Sequence, residues 1–246
     1  MQIAPLLIAL LALKEPASVS LLLTSGDSAF CSLRYDEALD KYSEVLKSDE
    51  ANAGALWRLA RLKVAQGEVL KKEKAERMYR DAADCARKSI QADSTTSEGH
   101  TWLAVSLGEI AMFEGSKTKI QLCSEIKNEL DKALALNPRD DVAWSIRGSF
   151  YRALGNVSWI EKRLAAIFLG KLPDGGYEEA EQSLLAAIRI APDVFRHKRE
   201  LGLLYLDWGR KPEAKRALQE SLETPTRLAS DADAKARVRE LLASLE

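Results

Sequence analysis

The sequence predicts an all-α chain, a right-handed superhelical solenoid of antiparallel helix pairs stacked side by side. Three observations carry this. Gly26, Ala60, Ala104, Gly148 and Gly202 follow one another at steps of 34, 44, 44 and 54 residues. Hydrophobic residues make up 46% of the 246-residue chain, with leucine and alanine dominant, which favours helix over strand. Prolines also fall where one helix must close and another begin, as Pro138 and Pro192 do.

A 34-residue step is the length of a tetratricopeptide unit, two helices that bury their apolar faces only by stacking on neighbours. The longer steps are that unit plus ten, ten and twenty residues. Units are expected at about 19–52, 53–96, 97–140, 141–194 and 195–228, with a cap over 229–246.

Residues 1–18 stand apart as a signal or anchor segment. Ile3 to Leu13 is almost wholly apolar, too short to span a bilayer but suited to a secretory signal. Ser18-Val19-Ser20 offers a small-x-small cleavage site. No Lys or Arg precedes the apolar run, so a terminal helix on a cytoplasmic protein is the alternative to export to the periplasm or anchoring in its membrane.

In the first unit the small residues of the two helices, Gly26 and Ala38, stand twelve apart, and Leu33 takes the turn position usually held by glycine. Small side chains are needed where helix axes approach most closely. The second and third units stretch that offset to twenty-two, Ala60 to Ala82 and Ala104 to Ile126. Their ten extra residues are expected to lengthen both helices of each unit and to form a protruding hairpin. Between Lys71 and Lys88 basic and acidic residues alternate, the pattern of a solvated helix face.

The fourth unit carries its twenty-residue excess between Gly148 and Ala180, because the next step, Ala180 to Ala214, returns to 34. Ser158 and Glu161 form a capping box that starts an inserted helix, Ile160, Leu164, Ile167 and Phe168 recur at helical spacing, and Gly170 ends it. That helix either completes the core of the fourth unit or docks a partner with Trp159 as anchor. In the fifth unit Gly202 and Ala214 are again twelve apart; Tyr151 and Tyr205 follow their glycines by three, as rings wedged between paired helices. Ser230 or Asp231 caps a last amphipathic helix carrying Ala234, Val238, Leu241 and Leu242, which covers the open end of the stack.

From about Ser97 to Glu246 the chain resembles the regulator of microtubule dynamics family of divergent tetratricopeptide proteins, and among them a shorter, bacterial-type relative. The resemblance rests on Gly99-His100-Thr101-Trp102-Leu103-Ala104, the Lys132-to-Pro138 closure, Ser158-Trp159-Ile160-Glu161-Lys162, and Tyr177-Glu178-Glu179-Ala180 before Pro192. It implies association with proteins, and with microtubules in the animal members, and implies no catalytic residue.

The charge balance, 36 basic against 37 acidic residues, gives no global field to recruit nucleic acid or an anionic membrane. Cys31, Cys85 and Cys123 are expected as small buried apolar residues. His100 and His197 lie in different units and outside any metal-binding pattern, and no phosphate loop or nucleophile elbow is present. The chain is therefore read as no enzyme, without cofactor or metal. First helices of tetratricopeptide units line a groove, to which Trp57, Arg61, Ser145, Ser149, Arg152, Arg196 and Arg199 are assigned. Arg61, Arg152, Arg196 and Arg199 there form either a cationic strip for an acidic peptide or arginines paired with neighbouring acids. The expected function is a non-enzymatic scaffold that binds a protein or peptide; the alternatives are a cytoskeletal regulator, or an accessory that presents a substrate chain to an enzyme.

Overall fold

The structure, a computed structural model, describes residues 15–168 and 170–245, so the apolar run 3–13 lies outside the described residues. The small-x-small site at Ser18 to Ser20 falls inside the first helix. Among the described residues the chain forms twelve helices and no strand. They are α1 (Glu15–Cys31), α2 (Tyr35–Ser48), α3 (Ala53–Gly67), α4 (Lys72–Ala92), α5 (Ser97–Ala111) and α6 (Ser116–Leu136). There follow α7 (Asp141–Gly155), α8 (Trp159–Phe168), α9 (Tyr177–Ile190), α10 (Phe195–Asp207), α11 (Lys211–Leu222) and α12 (Asp231–Ser244). No helix among the described residues is long and apolar enough to cross a membrane.

The closest pairs are α1 with α2, α3 with α4, α5 with α6, α7 with α9, and α10 with α11, the helical hairpins of a solenoid. Four residues join each of the first four hairpins to the next, at 49–52, 93–96, 137–140 and 191–194. Two of these connections end in a side-chain cap: Asn52 accepts from the Ala55 amide at 3.0 Å and Asp140 from the Ala143 amide at 2.9 Å. Ala38, Ala60, Ala82, Ala104, Ala133, Ala180, Ala187 and Ala214 are all fully buried where helices meet. The closest approaches belong to glycine: a Cβ on Gly67 would lie 2.5 Å from the Tyr79 ring, and one on Gly202 2.6 Å from Leu218 Cγ.

One expectation about the long units needs correcting. The first helices α3 and α5 have 15 residues, between the 17 of α1 and the 13 of α10, while α4 and α6 have 21 each against 14 in α2 and 12 in α11, so the second helix takes most of the extra length. The charged run on α4 is a solvated face, with Arg80 bridging Glu76 at 2.8 Å and Glu114 of the neighbouring turn at 2.6 Å.

A continuous apolar core runs from Ala60 on α3 to Ala217 on α11 and includes the rings of Tyr151 and Tyr205. Phe195, Leu218, Ala234 and Val238 form a separate cluster that seats α12 on the last hairpin. The helix α8 begins with its capping box formed, the Ser158 amide donating to Glu161 at 2.8 Å and the Glu161 amide to Ser158 Oγ at 3.3 Å. Gly170 ends it at φ 127°. Among the described residues it makes no extensive contact with another helix, and it meets the rest of the molecule through Leu164 and the buried Ala165, unlike α9, which pairs along its length with α7. The cysteines, all three free, are less buried than expected: Cys31 is exposed, and Cys85 and Cys123 are half-buried.

Candidate functional site: a walled cavity between the third and fifth hairpins

The site is assembled by polar contacts that tie hairpin to hairpin. Thr101 on α5 donates to Asp140 Oδ2 at 2.6 Å, and the other oxygen of Asp140 caps α7, so α5 sets where α7 begins. His197 on α10 bonds Asp141 Oδ2 at 2.8 Å through Nε2, which fixes α10 against the same end of α7. His100 lies buried between α5 and α6, with Nδ1 2.5 Å from Glu129 and Nε2 3.2 Å from the Ser94 carbonyl. Both histidines thus hold helices in place.

These ties leave a cavity of about 870 Å³ where α5, α6, α7 and α10 converge, with α8 as its outer wall. Val105, Met112, Ile120, Cys123, Ile126, Ile146, Phe150, Leu154, Val157, Leu164, Ala165 and Leu172 make most of its lining apolar. The polar end is formed by Glu109, Ser149, Arg196, Arg199 and Glu200. The volume falls within the ~300–1,000 Å³ range of pockets that enclose a small ligand or several large side chains.

The polar end is internally paired. Glu200 accepts from Arg152 Nη1 at 2.8 Å, from Arg199 Nη2 at 2.5 Å and from Ser149 Oγ at 3.2 Å. Burial pushes the Glu200 carboxyl up, but Arg199, Arg152 and Arg196 outweigh it and hold the group below its ordinary value. Arg196 crosses to Glu68 at the end of α3. Glu109 has no ion pair or hydrogen-bonded side-chain partner among the described residues, and burial raises its pKa against the attraction of Arg196.

The residues singled out in the sequence thus divide. Ser149, Arg196 and Arg199 meet at the cavity, with Arg152 one contact behind them. Ser145 is buried on α7 with its hydroxyl unpartnered. Arg61 and Trp57 lie at the other end, where Arg61 donates to Asp27 at 2.6 Å and its guanidinium lies 5.3 Å from the Trp57 ring. Trp159 opens α8, and its side chain lies outside the described residues. All four arginines of the strip are paired with acids, Asp27, Glu68, Glu200 and Asp207. Sequence reasoning missed Glu68, Glu109 and Glu200. The available signal for Glu109 was a lone charged residue in the stretch from Leu103 to Met112, where Ser106 is the one other polar side chain.

The sequence profile of the regulator of microtubule dynamics protein 1-3 family matches residues 22–246. The chain belongs to that family. It is 26% identical to mouse regulator of microtubule dynamics protein 1 over 208 residues, which cover 83% of this chain and 68% of the relative. It is 31% identical to bovine regulator of microtubule dynamics protein 3 over 173 residues, covering 69% of this chain but only 36% of that one. To the human protein 2 the identity is 26% over 193 residues, 78% of this chain and 47% of the relative. Among solved structures, a thermophilic tetratricopeptide protein of Thermus thermophilus superposes with a TM-score of 0.66 at 22% identity, covering 92% of this chain and 98% of the other. Pseudomonas aeruginosa PilF does so at 0.53 and 14% identity, over 93% and 89% of the two chains. These likenesses establish the tetratricopeptide fold; the family match extends upstream of Ser97 to include the first hairpins as well.

Proposed function

We propose that this member of the regulator of microtubule dynamics family is a non-enzymatic scaffold that holds an apolar segment of a protein or peptide partner in the cavity between α5, α6, α7 and α10. The observation that carries the reading is the cavity itself, an apolar enclosure of about 870 Å³ closed at one end by Ser149, Arg196, Arg199 and Glu200. Apolar walls supply the binding free energy, at roughly 25 cal/mol per Å² removed from water, and the few polar groups at the end fix orientation. Because Glu200 pairs with Arg152 and Arg199, and Arg152 with Asp207 as well, the end suits backbone amides and carbonyls of a partner as well as its acids.

Site-specific photo-crosslinking tests the assignment. A crosslinking residue at Val157, on the cavity wall, should capture the partner, while one at Leu185, exposed on α9, should not. Equal capture at both positions rules the cavity out. The names of the relatives support a second reading, a role on microtubules, for which co-sedimentation with polymerised tubulin is the direct assay.

A further inference from the structure

Two observations converge on α8 and the turn between α5 and α6. The first is apolar exposure: Ile160, Leu164 and Ile167 are 53%, 50% and 70% exposed, and Met112 across the cavity mouth is 74% exposed. Ile160, Leu164 and Ile167 recur at the spacing of one helix face, on a helix that among the described residues meets the rest of the molecule only along the cavity rim, through Leu164 and the buried Ala165. The second is charge. Lys117 and Lys119 at the start of α6, with Lys162 and Arg163 on α8, make no ion pair among the described residues and stand beside these apolar side chains.

The acids of this region are engaged elsewhere. Glu161 accepts from the amide and hydroxyl of Ser158, Glu114 pairs with Arg80, Glu125 with Arg87, and Asp174 with Lys171. A chain with a net charge of −1 thus carries a local patch in which exposed apolar side chains lie beside four cations that make no ion pair among the described residues.

We propose that this patch docks on an anionic lipid surface, with α8 lying in the plane of the headgroups. Protruding apolar side chains flanked by cations are what an interfacial helix needs: the former enter the acyl boundary and the latter meet anionic headgroups. A partner seated in the cavity leaves Ile160 and Ile167, which lie outside it, still in water; a bilayer covers them. The docking is independent of what the cavity holds.

Vesicle flotation of the full chain tests this, using phosphatidylcholine vesicles with and without phosphatidylserine. The expected result is flotation with the anionic vesicles that weakens by about fivefold for each of the four cations changed to glutamine, and that falls as salt is raised. The double variant I160D/I167D should lose flotation while its helical circular dichroism and melting curve match the parent, since both side chains project into solvent. Equal flotation of parent and variant overturns the proposal and assigns membrane attachment to residues outside α8. Absence of flotation by the parent overturns it as well, as does self-association through α8 without vesicle binding.

Discussion

Arg196 on α10 donates to Glu68 at the end of α3, 128 positions earlier in the chain, and Glu68 accepts at the same time from Ser230 in the connection to α12. Around this point the Ala229 amide donates to the Tyr35 hydroxyl at 3.3 Å, and Leu228 packs on the apolar cluster of the first hairpin. The last units of the solenoid thus return onto the first. Stacked hairpins by themselves contact only their neighbours; here a carboxylate joins units that are far apart in the stack, and the polar end of the cavity is built from the same arginine.

Replacing Glu68 by alanine should therefore destabilise the chain by about 2 kcal/mol, because Arg196 and Ser230 both lose their acceptor in a mostly buried setting. The connection between α11 and α12 should become sensitive to limited proteolysis before the rest of the chain unfolds. Urea melts and a protease time course read the two effects. An unchanged midpoint and an unchanged digestion pattern would show that the closure contributes nothing to stability.

Leu33 offers a prediction of the opposite sign. It is the single non-glycine residue with positive φ among the described residues, at 59°, and ends α1 as Gly209 at φ 78° ends α10. The hydrogen bonding matches too: the Arg34 amide reaches the Ala29 carbonyl at 2.9 Å, as the Arg210 amide reaches Tyr205 at 2.8 Å. A leucine in the left-handed region costs about 1 kcal/mol that glycine does not. Leu33→Gly should raise stability by about that amount in thermal or urea unfolding, the lost contact of a partly exposed side chain being small. A fall in stability would mean that the side chain packs more than its exposure indicates.

These two sites show what the sequence discloses. The register of small residues located the helix contacts, and the Leu33 anomaly was visible as a departure from the pattern, because both follow from spacing along one hairpin. The inserted helix and its capping box were legible for the same reason: Ser158 and Glu161 are three residues apart. The cavity was not. It depends on how α5 and α10 are set against α7, through Thr101 to Asp140 and His197 to Asp141, pairs 39 and 56 positions apart. Nor was the neutralisation of the arginine strip, since Glu68 meets Arg196 only after the superhelix has curled back. Which helix took most of the extra ten residues was also hidden, because an apolar stripe continues smoothly whether one helix lengthens or two.

Glu109 and Asp27 should give opposite pH responses. For Asp27, burial raises the pKa, but hydrogen bonds and charge from Arg58, the Tyr42 hydroxyl and Arg61 more than offset it, leaving it below its ordinary value of 3.8. Its contribution to stability is present above 3.8 and is lost as pH falls through the folded value. For Glu109, burial dominates and the folded pKa lies above 4.5. Its protonated form is the one the fold favours, so its contribution is present below 4.5 and is lost as pH rises through the folded value. Glu109→Gln should therefore raise stability at pH 7 and flatten the decline above pH 4.5, while Asp27→Asn should lower stability at pH 7. Urea unfolding across pH 3 to 8 distinguishes the pair; a destabilised Glu109→Gln would mean that the attraction of Arg196 outweighs burial.

Gly108 gives the cavity a variant that fills it without disturbing the fold. It lines the cavity from the last turn of α5, and a Cβ built there has no neighbour within 4 Å, unlike the glycines at helix contacts. Gly108→Leu places an isobutyl group in the enclosure, and glycine in a helix interior costs roughly 0.5–1 kcal/mol relative to a good helix former. The variant should therefore melt at or above the parent temperature while capture of the partner by the Val157 crosslinker falls at least about tenfold, an effect worth about 1.4 kcal/mol of binding. Loss of binding through unfolding is excluded by the melt. If stability rises and capture persists, the partner does not enter between α5 and α7, and the binding surface lies elsewhere on the superhelix.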